Sequence, residues 1–244
     1  MIKSIALHEL RLVLCNRKTW FCLAALHALM GIIFNWLISI YLKDKIIVTT
    51  TAYGITEKII HPYYAWFSLL ILFMTPMIAT QILCAEKVNK TMLNYQTAPI
   101  STASIIFGKY LAVNLILVLA ILAVSILPLS LLLSSSLDWG QFIAGILGAY
   151  LMLSATLAVG CGISSFMHNI TRSNFIIFLA ILSFILLEWA AQYTGPYAMY
   201  LQHFGLLNPL KNFLSGVINL QSVCYYACIS YIFLTIGTWG LNKK

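Results

Sequence analysis

The stretch AEKVNKTMLNYQTAPISTASIIFGK, residues 85–109, is the long polar interruption between two strongly apolar segments of this chain. It carries three of the chain's fourteen Lys and Arg residues, and Pro99 begins a Pro-Ile-Ser turn that divides it. The flanking segments avoid water, whereas this stretch is polar enough to remain in it. The sequence therefore predicts an exposed segment that a partner in the aqueous phase binds.

Composition indicates that the rest of the chain lies in a membrane. Of the 244 residues, 61% are hydrophobic and 8% are charged, with a mean hydropathy of +0.94. A soluble domain carries about 25% charged residues, so most of this surface faces lipid. The formal charge of +8 does not indicate nucleic acid, because the basic residues lie at the ends of apolar runs, as topology signals do.

Six apolar segments are each long enough to cross a hydrocarbon core of roughly 30 Å. We predict spans at about residues 20–42, 63–84, 106–133, 140–166, 173–191 and 222–241. The expected fold is all-α, a polytopic integral membrane protein that forms a single domain over residues 1–244. Residues 43–62 are expected to form a polar loop that ends at His61-Pro62.

Residues 2–18 have the pattern of an amphipathic helix. Ile5, Ala6 and Leu10 recur on one side, while Lys3 and Arg11 fall on the other. Such a helix lies in the headgroup plane with its cations toward anionic lipid. Glu9 borders the apolar stripe, and we expect it to pair with a neighbouring base.

The distribution of Lys and Arg predicts the orientation. Ten of them fall at the amino terminus, after the second and fourth spans, and in the tail, whereas the other side has four. The positive-inside rule then places both termini and residues 85–109 in the cytoplasm.

Small residues are concentrated in the fourth span. We expect Gly145, Gly148, Gly160 and Gly162 to allow close helix packing, which is how helices associate in lipid. A hinge that moves is the alternative role for such glycines.

Three polar residues inside or near spans are further candidates. His27 and Asn35 lie within the first span, where an interhelical hydrogen bond is the favoured interpretation and a place in a polar pathway is the alternative. Glu188 lies about one turn from the outer end of the fifth span. For this carboxylate, anchoring at the solvated membrane interface is favoured over a place in a polar pathway across the membrane.

Catalytic and metal-binding motifs are missing from the sequence. It contains no GxSxG and no HExxH. Gly108-Lys109 does not complete a phosphate-binding loop, because Ala103 stands in place of the first Gly of that motif and Tyr110 in place of its closing Ser or Thr. The six cysteines show no CxxC spacing, and no metal site is expected. We therefore expect neither enzymatic activity nor a cofactor bound by this chain.

A set of residues in the central stretch resembles the permease signature of type-2 ABC exporters. The matching positions are Glu86-Lys87, Thr91, Ala98-Pro99-Ile100-Ser101, Ile105 and Gly108-Lys109. His8-Glu9-Leu10-Arg11 before the first span and Pro76 in the second also match. Residues 213–241, FLSGVINLQSVCYYACISYIFLTIGTWGL, are similar to the end of the gliding-motility branch of that family.

The resemblance implies a permease of the cytoplasmic (inner) membrane that pairs with a second permease subunit, identical or paralogous. Each subunit would dock through residues 86–105 on a cytoplasmic ABC ATPase, which binds ATP and Mg²⁺. Short re-entrant helices between spans five and six would cap the pathway, and an auxiliary subunit is left open. The ATPase-coupling residues would be Glu86, Thr91, Met92, Leu93, Tyr95, Pro99 and Ile100.

The residues themselves leave two readings of the coupling segment open. A helix over residues 88–98 would end at Pro99 and place Met92 and Tyr95 on one side. That side either packs on the chain's own span ends or fills a groove of the ATPase. The alternative function for the whole chain is a membrane-embedded scaffold or assembly factor that moves no substrate.

Overall fold

The computed structural model describes residues 2–47, 56–90, 101–133, 138–191 and 204–242. Within these residues the chain is 91% helical and has no strand, which confirms the predicted all-α class. The described α-helices are α1 (Ile2–Cys15), α2 (Arg17–Ile47), α3 (His61–Val88), α4 (Thr102–Leu129), α5 (Trp139–Ser164), α6 (Ile170–Ala191), α7 (Leu207–Leu214) and α8 (Leu220–Asn242).

Six of these helices, α2 to α6 and α8, are long and apolar enough to cross a membrane. α5 lies at the centre of the bundle, against α3, α7 and α8, and most of its residues are buried. By contrast, the outer helices expose large apolar side chains, among them Phe21 on α2, Phe175 on α6 and Tyr231 on α8. Surfaces of this kind suit contact with lipid, so the chain is a multi-pass membrane protein.

All six spanning helices begin one to four residues before their predicted starts, and polar side chains cap the first turns of α4 and α6. The Ser101 hydroxyl accepts from the Ser104 amide at 3.3 Å, so α4 begins at Thr102 rather than near residue 106. The Asn169 side chain accepts from the Thr171 and Arg172 amides at 3.0 and 3.3 Å and starts α6 three residues before the predicted position. N-caps of this kind lie outside the apolar run itself.

The predicted polar loop over residues 43–62 is wrong at both of its ends. α2 continues to Ile47, and a π-helical turn, Thr56–Ile60, leads directly into α3. Pro62 lies in the first turn of α3, where a missing backbone N–H costs nothing, so His61-Pro62 belongs to the helix of the second span and not to the preceding loop. Residues 48–55 lie outside the described part of the chain.

α1 is helical as expected, but its apolar stripe covers protein. Ile5 and Ala6 are buried, and α1 packs along the start of α4. Gly108 makes this possible, since a Cβ there would lie 2.8 Å from Cγ2 of Ile5. A stripe of apolar side chains can contact either lipid or a neighbouring helix. Here the centre of the stripe packs against α4.

α7 is the described part of the segment between the fifth and sixth spans. It begins at Leu207, with Pro209 in its first turn. It ends in a Schellman motif, where the Val217 and Gly216 amides donate to the carbonyls of Asn212 and Phe213. Gly216 supplies the required left-handed conformation, with φ +86°. Residues 192–203, which precede α7, lie outside the described residues.

Charge is unequally divided between the two ends of the bundle. Among the charged side chains that the structure describes, seven Lys and Arg and two Glu lie at the end that carries α1. The opposite end has three Lys and three acidic residues. We call these the basic end and the neutral end.

Candidate functional site

A buried ion triad occupies the basic end. The Lys109 ammonium donates to Oε1 of Glu9 and to Oε1 of Glu86, both at 2.6 Å. The Lys109 side chain is 2% exposed, and those of Glu9 and Glu86 are 14% and 23% exposed. Charges removed from water to this extent are stable only when paired, and Lys109 is a partner that both carboxylates share.

The triad joins three helices that are distant in sequence. Glu9 belongs to α1, Glu86 to the last turn of α3, and Lys109 to the second turn of α4. Gly108 lets α1 approach α4, and the next residue, Lys109, then bonds to the approaching helix. The small residue and the cation therefore act as a pair in holding α1 against the spans.

A second contact extends this network to the central helix. The Lys87 ammonium donates to the carbonyl of Ser165, the residue that caps the end of α5. A cation at a helix carboxyl terminus satisfies an exposed carbonyl and complements the helix dipole. At the basic end, α1, α3, α4 and α5 are thus connected through two neighbouring residues of α3, Glu86 and Lys87.

The predicted coupling residues lie on both sides of the boundary of the described chain. Glu86 is described and bonded within the triad. Asn89 follows the end of α3, and Lys90 has a positive φ of 60°. Thr91, Met92, Leu93, Tyr95, Pro99 and Ile100 lie outside the described residues. The described part of the chain resumes at Ser101, the N-cap residue of α4.

Glu188 forms the corresponding polar centre at the neutral end. Its Oε2 accepts from the Leu207 and Asn208 amides at 2.9 and 3.1 Å, and its Oε1 accepts from the Lys211 ammonium at 2.7 Å. The residue is 6% exposed, so protein groups rather than interfacial water take its oxygens. A carboxylate from α6 therefore caps α7, with favourable interaction at the helix amino terminus.

Removal of that carboxylate gives a local test. We expect Glu188→Ala to lower stability by roughly 2 kcal/mol, since hydrogen bonds to a charged group are worth about 1.5–3 kcal/mol. Lys211→Ala should cost less than about 1 kcal/mol, because the Lys211 side chain is 59% exposed. Thermal unfolding of the purified chain in lipid measures both. Equal losses would show that the ion pair, and not the cap, holds α7.

The four predicted packing glycines lie at helix contacts. An added Cβ on Gly145 would lie 3.2 Å from Tyr64 of α3, and on Gly162 it would lie 2.7 Å from the Phe233 carbonyl of α8. Gly148 faces Phe213 of α7, and Gly160 faces Ala79 of α3. Together they let α5 touch three neighbours along its length.

The two polar residues of α2 do not make the expected interhelical bond to any described residue. Nδ1 of His27 is buried without a hydrogen-bond partner in this part of the chain. The Asn35 side chain is exposed, on the side of α2 away from the bundle. Its backbone carbonyl accepts from the Ser39 hydroxyl at 2.9 Å.

The sequence predicted Glu86 and Glu188 as site residues but not their bonding partners, and Lys109 entered only as part of the resemblance. Glu9, which was expected to pair with a neighbouring base, bonds to Lys109, 100 residues later in the chain. An acid beside an apolar stripe was the available signal for a buried ion pair. Within the described ranges, no group of three or more His, Cys, Asp and Glu side chains could hold a metal ion.

Comparison with known proteins adds no family to these observations. No protein-family model matches this chain, and no curated protein is significantly similar to it.

Proposed function

We propose that this chain is the transmembrane permease subunit of an ATP-driven ABC exporter, coupled through residues 86–105 to a separate cytoplasmic ATPase. The observation that carries the proposal is the anchoring of this segment. It leaves α3 at Val88 and enters α4 at Thr102, and the Glu9–Lys109–Glu86 triad joins the helices on both sides of it. The resemblance of the segment to the exporter signature points the same way.

In this proposal the ATPase binds ATP and Mg²⁺, and this chain binds neither. Closure of the ATPase pair moves the segment, and the triad passes that displacement to α1, α3 and α4 together. Lys87 passes it to the end of α5, which packs on α3 and α8. Packed helices that move as rigid units between two arrangements give alternating access.

The exposed side of α2 supports a second permease subunit. Asn35 lies about one turn beyond the middle of the span Thr19–Lys43, where the surrounding hydrocarbon offers an amide no hydrogen bond. Side-chain amides in such positions commonly bond across helices. A second subunit, a copy or a paralogue, supplies that partner under this proposal.

The proposal places the basic end in the cytoplasm of a cell with an inner membrane, together with both termini. We expect a cysteine at Asn89 to react with an impermeant thiol reagent only after permeabilisation. A cysteine at Lys211, which is exposed at the neutral end, should react in intact cells. The native cysteines are first replaced by serine. Labelling of the Asn89 position in intact cells would reverse the orientation and remove the coupling role.

Recruitment of the ATPase tests the function itself. We expect Tyr95→Ala to leave the permease folded and inserted but to weaken ATPase binding by roughly 2 kcal/mol or more, as loss of a buried aromatic anchor does. Co-purification of the co-expressed ATPase at matched expression measures this. Tyr231→Ala is the control, because Tyr231 is exposed on the outer surface of α8.

Two outcomes separate the alternatives. Undiminished recruitment and ATP hydrolysis in both Tyr95→Ala and Met92→Ala would mean that the coupling surface lies elsewhere. A recruited ATPase whose hydrolysis is unchanged by the permease and by every candidate substrate would identify a scaffold instead of an exporter.

A further inference from the structure

α1 has a second amphipathic surface besides the one that covers α4. Lys3, Leu7 and Arg11 follow one another at one-turn intervals, and all three are exposed, with Leu7 at 63%. Leu10 and Leu14, both partly exposed, fall in the same sector of the helix, about 100° wide. The expectation that Leu10 lies on the side away from Lys3 and Arg11 is therefore wrong. We call these five residues the α1 ridge. It combines two cations with three leucines.

The position of α1 along the bundle puts this ridge at membrane-surface depth. Ile5 lies against Gly108, and Glu9 bonds to Lys109, both within the first two turns of a membrane span. The next helix begins at once, and its exposed Trp20 donates to the Leu14 carbonyl at 2.7 Å. An exposed tryptophan such as Trp20 is typical of the interface between headgroups and hydrocarbon.

The charges of the basic end leave the ridge cations available to an external anion. Glu9 and Glu86, the two acids described at this end, both bond to Lys109 in the triad. Lys3, Arg11 and Arg17 are exposed on and just after α1. Cations beside leucines at headgroup depth are complementary to an anionic lipid surface, in which the leucines enter the acyl boundary.

We propose that the α1 ridge binds anionic phospholipid headgroups, and that the Glu9–Lys109–Glu86 triad makes ATPase coupling sensitive to their abundance. The regulatory part rests on the proposed function; the lipid contact does not. α1 bonds directly to α4 and is linked to α3 through Lys109. These two helices flank the coupling segment, so holding α1 at the membrane surface restrains the ends of that segment. A membrane that lacks anionic lipid leaves this anchor weaker.

An acidic surface of the ATPase is the competing partner for the same cations. Lipid is favoured because exposed leucines accompany the cations and because α1 lies beside an interfacial tryptophan. A soluble partner would need those leucines to leave the membrane surface. The experiment therefore measures the chain with and without ATPase.

The first measurement uses the full-length chain alone in vesicles of phosphatidylcholine, with increasing phosphatidylglycerol. A spin label at His8→Cys, next to the ridge, reports depth after the other exposed cysteines are replaced by serine. We expect the label to move deeper as phosphatidylglycerol rises. Lys3→Gln and Arg11→Gln should each weaken this response by about fivefold, the effect of one basic residue near an anionic surface. High salt should weaken it in all variants.

Arg172→Gln is the matched control, because Arg172 is an exposed cation at the same end that lies on α6. It should leave the depth response unchanged. Equal depth in both lipids, or an equal loss with Arg172→Gln and Arg11→Gln, would overturn the ridge as the lipid site. A label that moves only when ATPase is added, whatever the lipid, would assign the ridge to the ATPase and overturn the proposal.

The second measurement follows ATP hydrolysis by the permease–ATPase complex in the same vesicles. We expect hydrolysis to rise with phosphatidylglycerol in the unmodified chain and to become insensitive to lipid in Lys3→Gln/Arg11→Gln. Glu9→Gln should keep the depth response while losing the hydrolysis response, because it breaks the connection and not the contact. Hydrolysis that ignores lipid in the unmodified complex would overturn the regulation. The depth measurement needs no ATPase, so it decides the lipid contact even if the proposed function fails.

Discussion

Lys109→Met is expected to be among the most damaging single substitutions in this chain, with a loss of about 3–5 kcal/mol. Removing one partner of a buried ion pair has that effect because the remaining charge stays buried without compensation. Here one substitution removes a shared partner of two carboxylates, since both bond to the same Lys109 nitrogen. They would face each other within two hydrogen-bond lengths, with repulsion added to the cost of desolvation.

Thermal unfolding of the purified chain in lipid measures this loss. For a chain of this size we expect the midpoint to fall by about 10 °C or more. Arg172→Met is the control, an equal change at an exposed cation that should stay within about 0.5 kcal/mol. Equal midpoints for the two variants would contradict the triad as a structural centre.

A triple variant separates charge from packing. Lys109→Met combined with Glu9→Gln and Glu86→Gln removes all three charges and keeps similar side-chain volumes. Replacing a whole buried ion network with neutral groups is often close to neutral in stability. The triple variant should therefore be more stable than Lys109→Met alone. If it is equally unstable, then the volume of the lysine side chain matters and its charge does not.

The six spans were predictable because each is a long uninterrupted apolar run, and hydropathy follows directly from composition. The residues at which the spans begin were less predictable. Ser101 and Asn169 begin α4 and α6 through side-chain bonds to backbone amides, and a serine or asparagine in a polar turn has many alternatives. Apolar periodicity carries no information about which of them caps a helix.

The contacts between distant parts of the chain could not be predicted. Glu188 caps α7 from 19 residues earlier, so the local sequence around Leu207 holds no sign of its own cap. Likewise, the apolar stripe of α1 is clear in the sequence, but Ile5 would fit lipid as well as it fits Gly108. Only the approach of α4 decides between them, and that depends on the packing of the whole bundle.

Gly148→Leu is expected to be the most damaging change within the membrane core. A Cβ on Gly148 would lie 2.8 Å from Cγ of Phe213 and closer still to its Cβ. Phe213 is fully buried, and a side chain cannot swing away at its own Cβ, so the α7 backbone must move. Overpacking typically costs about 1–3 kcal/mol, and displacement of a docked helix adds to that. We expect α7 to detach and assembled protein to be lost.

Leu147→Ala provides the matched control, because Leu147 is the adjacent residue and is 37% exposed. The loss of stability in Leu147→Ala should be mild, and the yield of correctly assembled protein from membranes compares the two variants.

A compensating change tests whether packing or a moving hinge explains the glycine. Phe213→Ala opens space where the new leucine enters, so Gly148→Leu/Phe213→Ala should recover stability relative to Gly148→Leu alone, as residues in contact do not act additively. A hinge needs the freedom of the glycine backbone, which Phe213→Ala cannot restore. Equal yields from Gly148→Leu and Leu147→Ala would show that α7 does not rest on this position.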